Sequence, residues 1–471
     1  MIAKSRLGFL TLALGLIVCG RIGHSQDLQS HPTSRKPTSI TGCMTTACHG
    51  SNSASDAPLW QRSGKIWFDL DPHARAYTSL LSDESRQIVE RLTNESVSVA
   101  SRRYRDILEE KCVSCHASEN APVSQRLLGA DCQVCHGAAE AWGDEHYSKE
   151  WKSLGNQRFD PKGKWNVESF ASRASVCASC HVGELNRTGR DRQVDHRLMA
   201  AGHPPMHFDF ELFSLRYPKH WDSTKDPVER QGESSFRRWR IGKLESTISR
   251  LKLLSERAHR AEQKRQAGSL QDWPELTEYS CFRCHHPLQQ PSWRQVRGAD
   301  SSMQWDPWCT ALLELAVSEE SSSQVLKLAS ELKSTMESST QLSSPFAPSS
   351  VSQKVAPLLQ LLENERSQIA ADVPWSETRY RATLSGILKR EDMFAEWESA
   401  AQWSIVCRSI AAPLKLDLPK LSENVSLDPY FGNARIWTNR IAPSAHSAQR
   451  FRPETLIEFK GSLMRLLDSK P

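Results

Sequence analysis

The sequence predicts a mostly α-helical protein, with short helices and ordered loops over residues 41–300 and an all-α C-terminal region over 301–471. Three observations predict it. Apolar residues recur at three- and four-residue spacing in the long patterned stretches, and the alternation that marks strands is scarce. Five short units rich in Cys and His lie between Cys43 and His285, about fifty residues of chain for each, too few to build a separate apolar core around every one. Beyond Trp305 no such unit recurs, and only helical patterns remain.

Four units share one form: Cys112-Val113-Ser114-Cys115-His116, Cys132-Gln133-Val134-Cys135-His136, Cys177-Ala178-Ser179-Cys180-His181 and Cys281-Phe282-Arg283-Cys284-His285. The fifth, Cys43 to Cys48 followed by His49, has four residues between its cysteines. Cys-x-x-Cys-His is the pattern of c-type haem attachment. Two thiols add across the haem vinyl groups, and the adjoining imidazole becomes the proximal ligand of the iron. Structural zinc sites also use Cys pairs, but they do not require His directly after the second Cys. At Cys43 and Cys48 two extra residues must bulge out, and a disulfide is the alternative there. The reading is five covalently bound haem c groups with their iron, held in a multihaem cytochrome c fold whose stacked haems supply much of the core. Only fifteen residues separate His116 from Cys132, so two porphyrins lie within electron-hopping range.

In chain order, Met1 to Arg6 is charged and Leu7 to Val18 apolar, a secretory signal with cleavage after Ser25. Lipidation at Cys19 and an uncleaved signal anchor are the alternatives. Either way the expectation is export to the periplasm. Residues 26–40 form a flexible Ser/Pro-rich leader. Pro72 suits a first helical turn and sets His73 near a helix start as a distal ligand. The charged stretch Ser82 to Leu108 reads as amphipathic helix. Small residues after His136 let the backbone lie on a porphyrin, with His146 as the next distal candidate. His196, His203 and His207 follow within twelve residues, His203 first in rank, then His196, with His207 weaker. Met199 and Met206 pack on a haem edge. His220 and His259 read as surface residues.

Phe236 to Gln263 carries Ile241, Leu244, Ile248, Leu251, Leu254 and Ala258 on one stripe, for packing within its own domain or for oligomerisation. Helical patterns then run over Trp308 to Met336, Val355 to Ala370, Thr383 to Ile410 and Thr455 to Leu467, with a Ser/Pro-rich break from Glu337 to Ser352. Thirteen cysteines are present; the units use ten, Cys19 lies in the signal, and Cys309 and Cys407 are buried thiols or one disulfide. The formal charge of +5 is offset by the two propionates of each haem, and nothing in it argues for nucleic acid.

From Cys43 to His181 the order of features resembles the cytochrome c-554 type of multihaem cytochromes c, relatives of the hydroxylamine oxidoreductase and multihaem nitrite reductase group. The likeness rests on the first unit followed by Trp67 and His73-Ala74-Arg75-Ala76, then Cys112 to His116, then Asp131 to Gly137 with His146 downstream, then Cys177 to His181. The resemblance implies a mostly helical fold, haems in closely stacked pairs and bis-histidine ligation with His73 and His146 among the distal ligands. It also implies one haem without a protein sixth ligand, by position the one at Cys112, Cys115 and His116. The four-residue spacing of Cys43 to Cys48, the unit at Cys281 and the C-terminal helices depart from it.

Five irons need five distal ligands, and His73, His146, His196 and His203 supply four, with His207, His286 and His446 in reserve. The functional expectation is therefore an exported electron-transfer protein that meets donor and acceptor redox proteins, with docking to a membrane complex and oligomerisation open. The alternative is an oxidoreductase acting on a small nitrogen or sulfur compound at an open iron.

Overall fold

The computed structural model describes residues 40–52, 57–118, 121, 123–159, 164–185, 191–224, 234–269, 273–281, 303–338, 347–371, 375–390, 392–394, 396–416 and 453–469. The signal segment, the leader up to residue 39, Cys284, His285, His286 and His446 lie outside the described residues. The longer helices are α1 (Leu59–Leu70), α2 (Asp83–Thr93), α3 (Arg102–Lys111), α4 (Phe170–His181), α5 (His196–Ala201), α6 (Phe210–Arg216), α7 (Ser234–Gln266), α8 (Glu319–Glu337), α9 (Pro348–Ala371), α10 (Glu377–Leu388), α11 (Trp397–Ala411) and α12 (Pro453–Ser469). Among the described residues, strand-type pairing occurs only as isolated bridges, Glu184 with Arg192 and Tyr279 with Trp305. The fold is mostly helical, as the spacing of apolar residues predicts.

Short polar side chains start these helices. Ser82, Ser101, Ser169, Asp195, Asp209 and Ser376 each accept a hydrogen bond from the backbone N–H three residues on, satisfying a donor that the first turn leaves open. The stretch from Ser82 to Leu108 is two helices, not the one its pattern suggested. Asn94 takes a left-handed conformation (φ 57°) that ends α2. Glu90 then accepts from the Val97 N–H and the Ser96 hydroxyl, and Ser101 starts α3. Beneath these helices Tyr77, Leu80, Val89, Tyr104, Ile107, Leu108 and Val113 form a small core, which the Tyr104 hydroxyl ties to the Leu80 carbonyl at 2.6 Å.

The main core is built along α7. Ile241, Leu244, Ile248, Leu251, Leu254 and Ala258 are all buried, so this stripe packs within its own chain. It faces α9, α4 and α6, with α11 behind. Other faces of α7 are buried too, because their charges find partners inside. The Lys243 ammonium donates to the Trp308 carbonyl at 2.6 Å and to Gln402 at 3.1 Å, and Arg257 pairs with buried Glu278. Residues from Phe170 to Ala258 and from Trp305 to Leu463 share this one apolar core, which crosses the boundary expected near residue 300.

Two outcomes follow from this packing. Leu244→Ala removes a fully buried side chain from the middle of α7 and is expected to cost about 2–5 kcal/mol, read from denaturant unfolding. Burial pushes the Glu398 carboxyl up from 4.5 to about 8, so the folded chain retains a proton that the unfolded chain releases. That contribution is complete below pH 4.5 and is lost as the pH rises toward 8. Melting temperatures from pH 5 to 8 are therefore expected to fall less steeply in Glu398→Gln than in the wild type.

Candidate functional site

Three of the units sit on helical turns that fix their cysteines and histidine. In the Cys112 unit, which follows α3, Val113–His116 form one turn and the His116 N–H donates to the Cys112 carbonyl at 3.0 Å. The Cys132–His136 turn is capped by Asp131, which accepts from the Gln133 N–H at 2.9 Å, while the Gln133 side chain accepts from the Ala139 N–H. Cys177, Cys180 and His181 close the last turn of α4. The Cys43 unit reaches the same end with two more residues. Its His49 N–H donates to the Cys43 carbonyl at 3.0 Å, the counterpart of the His116 bond, and Cys48 and Gly50 both donate to the Thr45 carbonyl to close the extra loop. Gly64 of α1 then lies against His49: its N–H donates to the His49 carbonyl at 2.8 Å, where a Cβ would collide with that oxygen. Of the fifth unit, Cys281 is described and is a half-buried thiol.

The four described proximal histidines each face a second histidine. Ring centres are 6.1 Å apart for His49 and His146, 6.0 Å for His181 and His73, 6.4 Å for His116 and His203, and 6.2 Å for His136 and His220. Two imidazoles bound to one metal through nitrogens about 2.0 Å from it, each nitrogen about 1.1 Å from its ring centre, stand about 6.2 Å apart. All four separations fit an iron between the rings. The orientation of the nitrogens fits as well. Nδ1 of His49 bonds to the Trp60 carbonyl and the Ser63 hydroxyl, Nδ1 of His116 to the Ala76 carbonyl, that of His146 to the Gly143 carbonyl and that of His203 to the Pro204 carbonyl. Nδ1 of His73 bonds to the Asp71 carboxylate at 2.8 Å. Such bonds fix the tautomer and leave Nε2 as the donor atom for a metal. Burial lowers His116 and His146 and pushes His136 and His181 down to about 3 and His203 to about 4, whereas at His73 burial is outweighed by the Asp71 hydrogen bond and charge together, which hold it above its ordinary value.

The structure brings His73, His146 and His203 to face His181, His49 and His116, the histidines that close three of the units. His196 opens α5, and its backbone N–H donates to Glu275 at 2.9 Å. His116, which the resemblance left without a partner, faces His203. His220 was missed. It is packed among Tyr217, Trp221 and His136, not on the surface, and the aromatic frame Tyr217-Pro218-Lys219-His220-Trp221 was the available signal. His207, ranked low, is half-buried between Trp308 and Trp397 and lines a pocket with Cys281, Met206 and Arg250. Zinc-type clustering is absent among the described residues: no three His, Cys, Asp or Glu side chains converge on a metal position. Cys309 and Cys407 are buried and are not joined in a disulfide.

The units are neighbours in an order that differs from their order in sequence. Cys43 lies within electrostatic range of Cys132, Cys135 within range of Cys177, and the Cys180 thiol meets that of Cys115. Arg192 ties the last two units together, donating to the Ser114 carbonyl at 3.0 Å, the Ser179 hydroxyl at 3.3 Å and Glu184 at 3.0 Å. The row therefore runs Cys43, Cys132, Cys177, Cys112.

Residues 42–137 match the family described as cytochrome c554 and c-prime. The matched segment holds the Cys43, Cys112 and Cys132 units together with His73. No curated protein and no solved structure matches the chain.

Proposed function

We propose that this chain, a multihaem cytochrome of the cytochrome c554 type by the match over residues 42–137, is an exported electron-transfer protein that carries five c-type haems. The observation that carries the reading is the pairing itself: every described proximal histidine has a second histidine at iron-bridging distance. Bound there, haem iron supplies a reversible one-electron couple. The residues do the rest. Cys43 and Cys48, Cys112 and Cys115, Cys132 and Cys135, and Cys177 and Cys180 anchor four groups, and the sequence pattern assigns the fifth to Cys281 and Cys284 with His285. The pairs His49/His146, His116/His203, His136/His220 and His181/His73 would hold four irons and would keep water and small ligands from them. In the pairs His49/His146 and His116/His203 both rings are fixed by hydrogen bonds at Nδ1, so those coordination shells would have little to rearrange when the oxidation state changes.

Export is supported by the charged Met1 to Arg6 and apolar Leu7 to Val18, since thioether attachment takes place outside the cytoplasm. No helix among the described residues is long and apolar enough to cross a membrane. Donor and acceptor are redox proteins that approach the ends of the row of units. The oxidoreductase alternative requires an iron with an open side, and the geometry at the four described pairs gives it no support.

Electron paramagnetic resonance of the oxidised holoprotein tests the reading. Only low-spin signals, unchanged by nitrite or hydroxylamine, are expected; a high-spin signal that shifts on addition would make it an enzyme instead. His203→Gly is expected to open the iron beside His116, producing a high-spin signal that returns to low spin with added imidazole. Mass spectrometry of the holoprotein is expected to give the mature chain plus five haems, and one fewer in the double variant Cys281→Ser, Cys284→Ser.

A further inference from the structure

The hydrogen bonds that fix the histidines are alike except at one. Nδ1 of His116, His146 and His203 each meets a neutral backbone carbonyl, and Nδ1 of His49 a carbonyl and a hydroxyl. His73 alone among these meets a carboxylate, Asp71. Asp71 is 0 % exposed. The same oxygen caps the turn Pro72–Arg75 by accepting the His73 backbone N–H at 3.0 Å. The other oxygen is buried without a hydrogen bond in good geometry, though the Tyr217 hydroxyl approaches it. Among the described residues no lysine or arginine forms an ion pair with Asp71; its one such contact is His73. Its charge is thus met by no lysine or arginine among the described residues and is shielded from water.

An electron arriving at an iron adds negative charge beside this anion. The field opposes it strongly, because the interior dielectric is low and counter-ions are excluded. The same hydrogen bond makes the His73 imidazole a stronger donor, which favours the oxidised iron. We propose that Asp71 is the positioning residue that gives the haem held by His181 and His73 the lowest reduction potential of the four described pairs. This rests on the reading of the facing histidines as axial ligands. Arg192 lies near the same unit and acts in the opposite sense, but its charge is already paired with Glu184. The consequence is a particular profile along the row Cys43, Cys132, Cys177, Cys112: the lowest-potential centre is interior. Electrons would rest on either side of the Cys177 haem and cross it only in transit.

The test is a redox titration of the holoprotein, followed by electron paramagnetic resonance of the low-spin signals. His73→Gly identifies the signal of the His181/His73 iron as the one it abolishes; if it abolishes none, the ligand reading fails, and with it the premise. With the signal identified, it is expected to be the last of the four to disappear on reduction in the wild type. In Asp71→Asn the signal is expected to remain low-spin while its reduced-to-oxidised ratio at fixed potential rises tenfold or more, 59 mV for a one-electron couple. Asn keeps the cap and the acceptor for His73 and removes only the charge. Asp71→Ser, another capping residue, must give a rise of the same sign and carries the test if the Asn variant does not fold. A low-spin signal that keeps its midpoint in these variants, or a wild-type signal that reduces before another of the four, overturns the proposal even with the ligands confirmed.

Discussion

The structure depends on one repeated constraint: two imidazoles face each other across a metal-sized gap, and in five of the eight rings the outer nitrogen is held by oxygen. An imidazole left to itself rotates about two side-chain bonds and offers either nitrogen. Bonds from Nδ1 to Ala76, Gly143, Pro204, Trp60 and Asp71 remove that freedom, and the backbone carrying those oxygens has to be placed first. That accounts for turns and loops otherwise hard to explain. Gly129 takes a left-handed conformation (φ 67°) against the His73 carbonyl, which Ala130 then binds; any Cβ there would strike that oxygen. Gly64 seats His49 in a similar way.

The helical mass of the chain serves the same constraint at longer range. Helix α4 presents Cys177, Cys180 and His181 at one end and packs its other faces on α7. Because α7 is buried over most of its length and its charges are partnered inside, it is a stiff beam rather than a surface helix, and the C-terminal helices that cover it complete one core. A haem cluster that exchanges electrons gains from such rigidity, since edge-to-edge distances stay fixed while charge moves.

Charge placement separates units that look alike in sequence. Three of the Cys-x-x-Cys-His units differ little locally, yet one is served through His73 by a buried carboxylate and two are joined by Arg192. The row of units, Cys43 beside Cys132, Cys135 beside Cys177, Cys180 beside Cys115, mixes early and late segments of the chain. Such an arrangement uses long loops, which the sparse strand content allows.

The proposed attachment units are legible in the sequence by itself, because thioether formation and proximal ligation need their residues contiguous, within a single turn. The sequence also determined the helical class, since apolar periodicity is local, and it singled out His73, His146 and His203 by their settings. It did not determine the pairings. A distal histidine approaches from a segment tens of residues away, so its role depends on where the chain folds back: His220 reads as a surface residue until Tyr217 and Trp221 enclose it against His136. The break of α2 from α3 likewise turned on the cap at Asn94 and the side chain of Glu90, short-range details that the charge pattern of the stretch masks. Which histidine meets which, and which of them carries a buried anion behind it, only the tertiary structure decided, because both are matters of contact between residues that sequence order does not bring together.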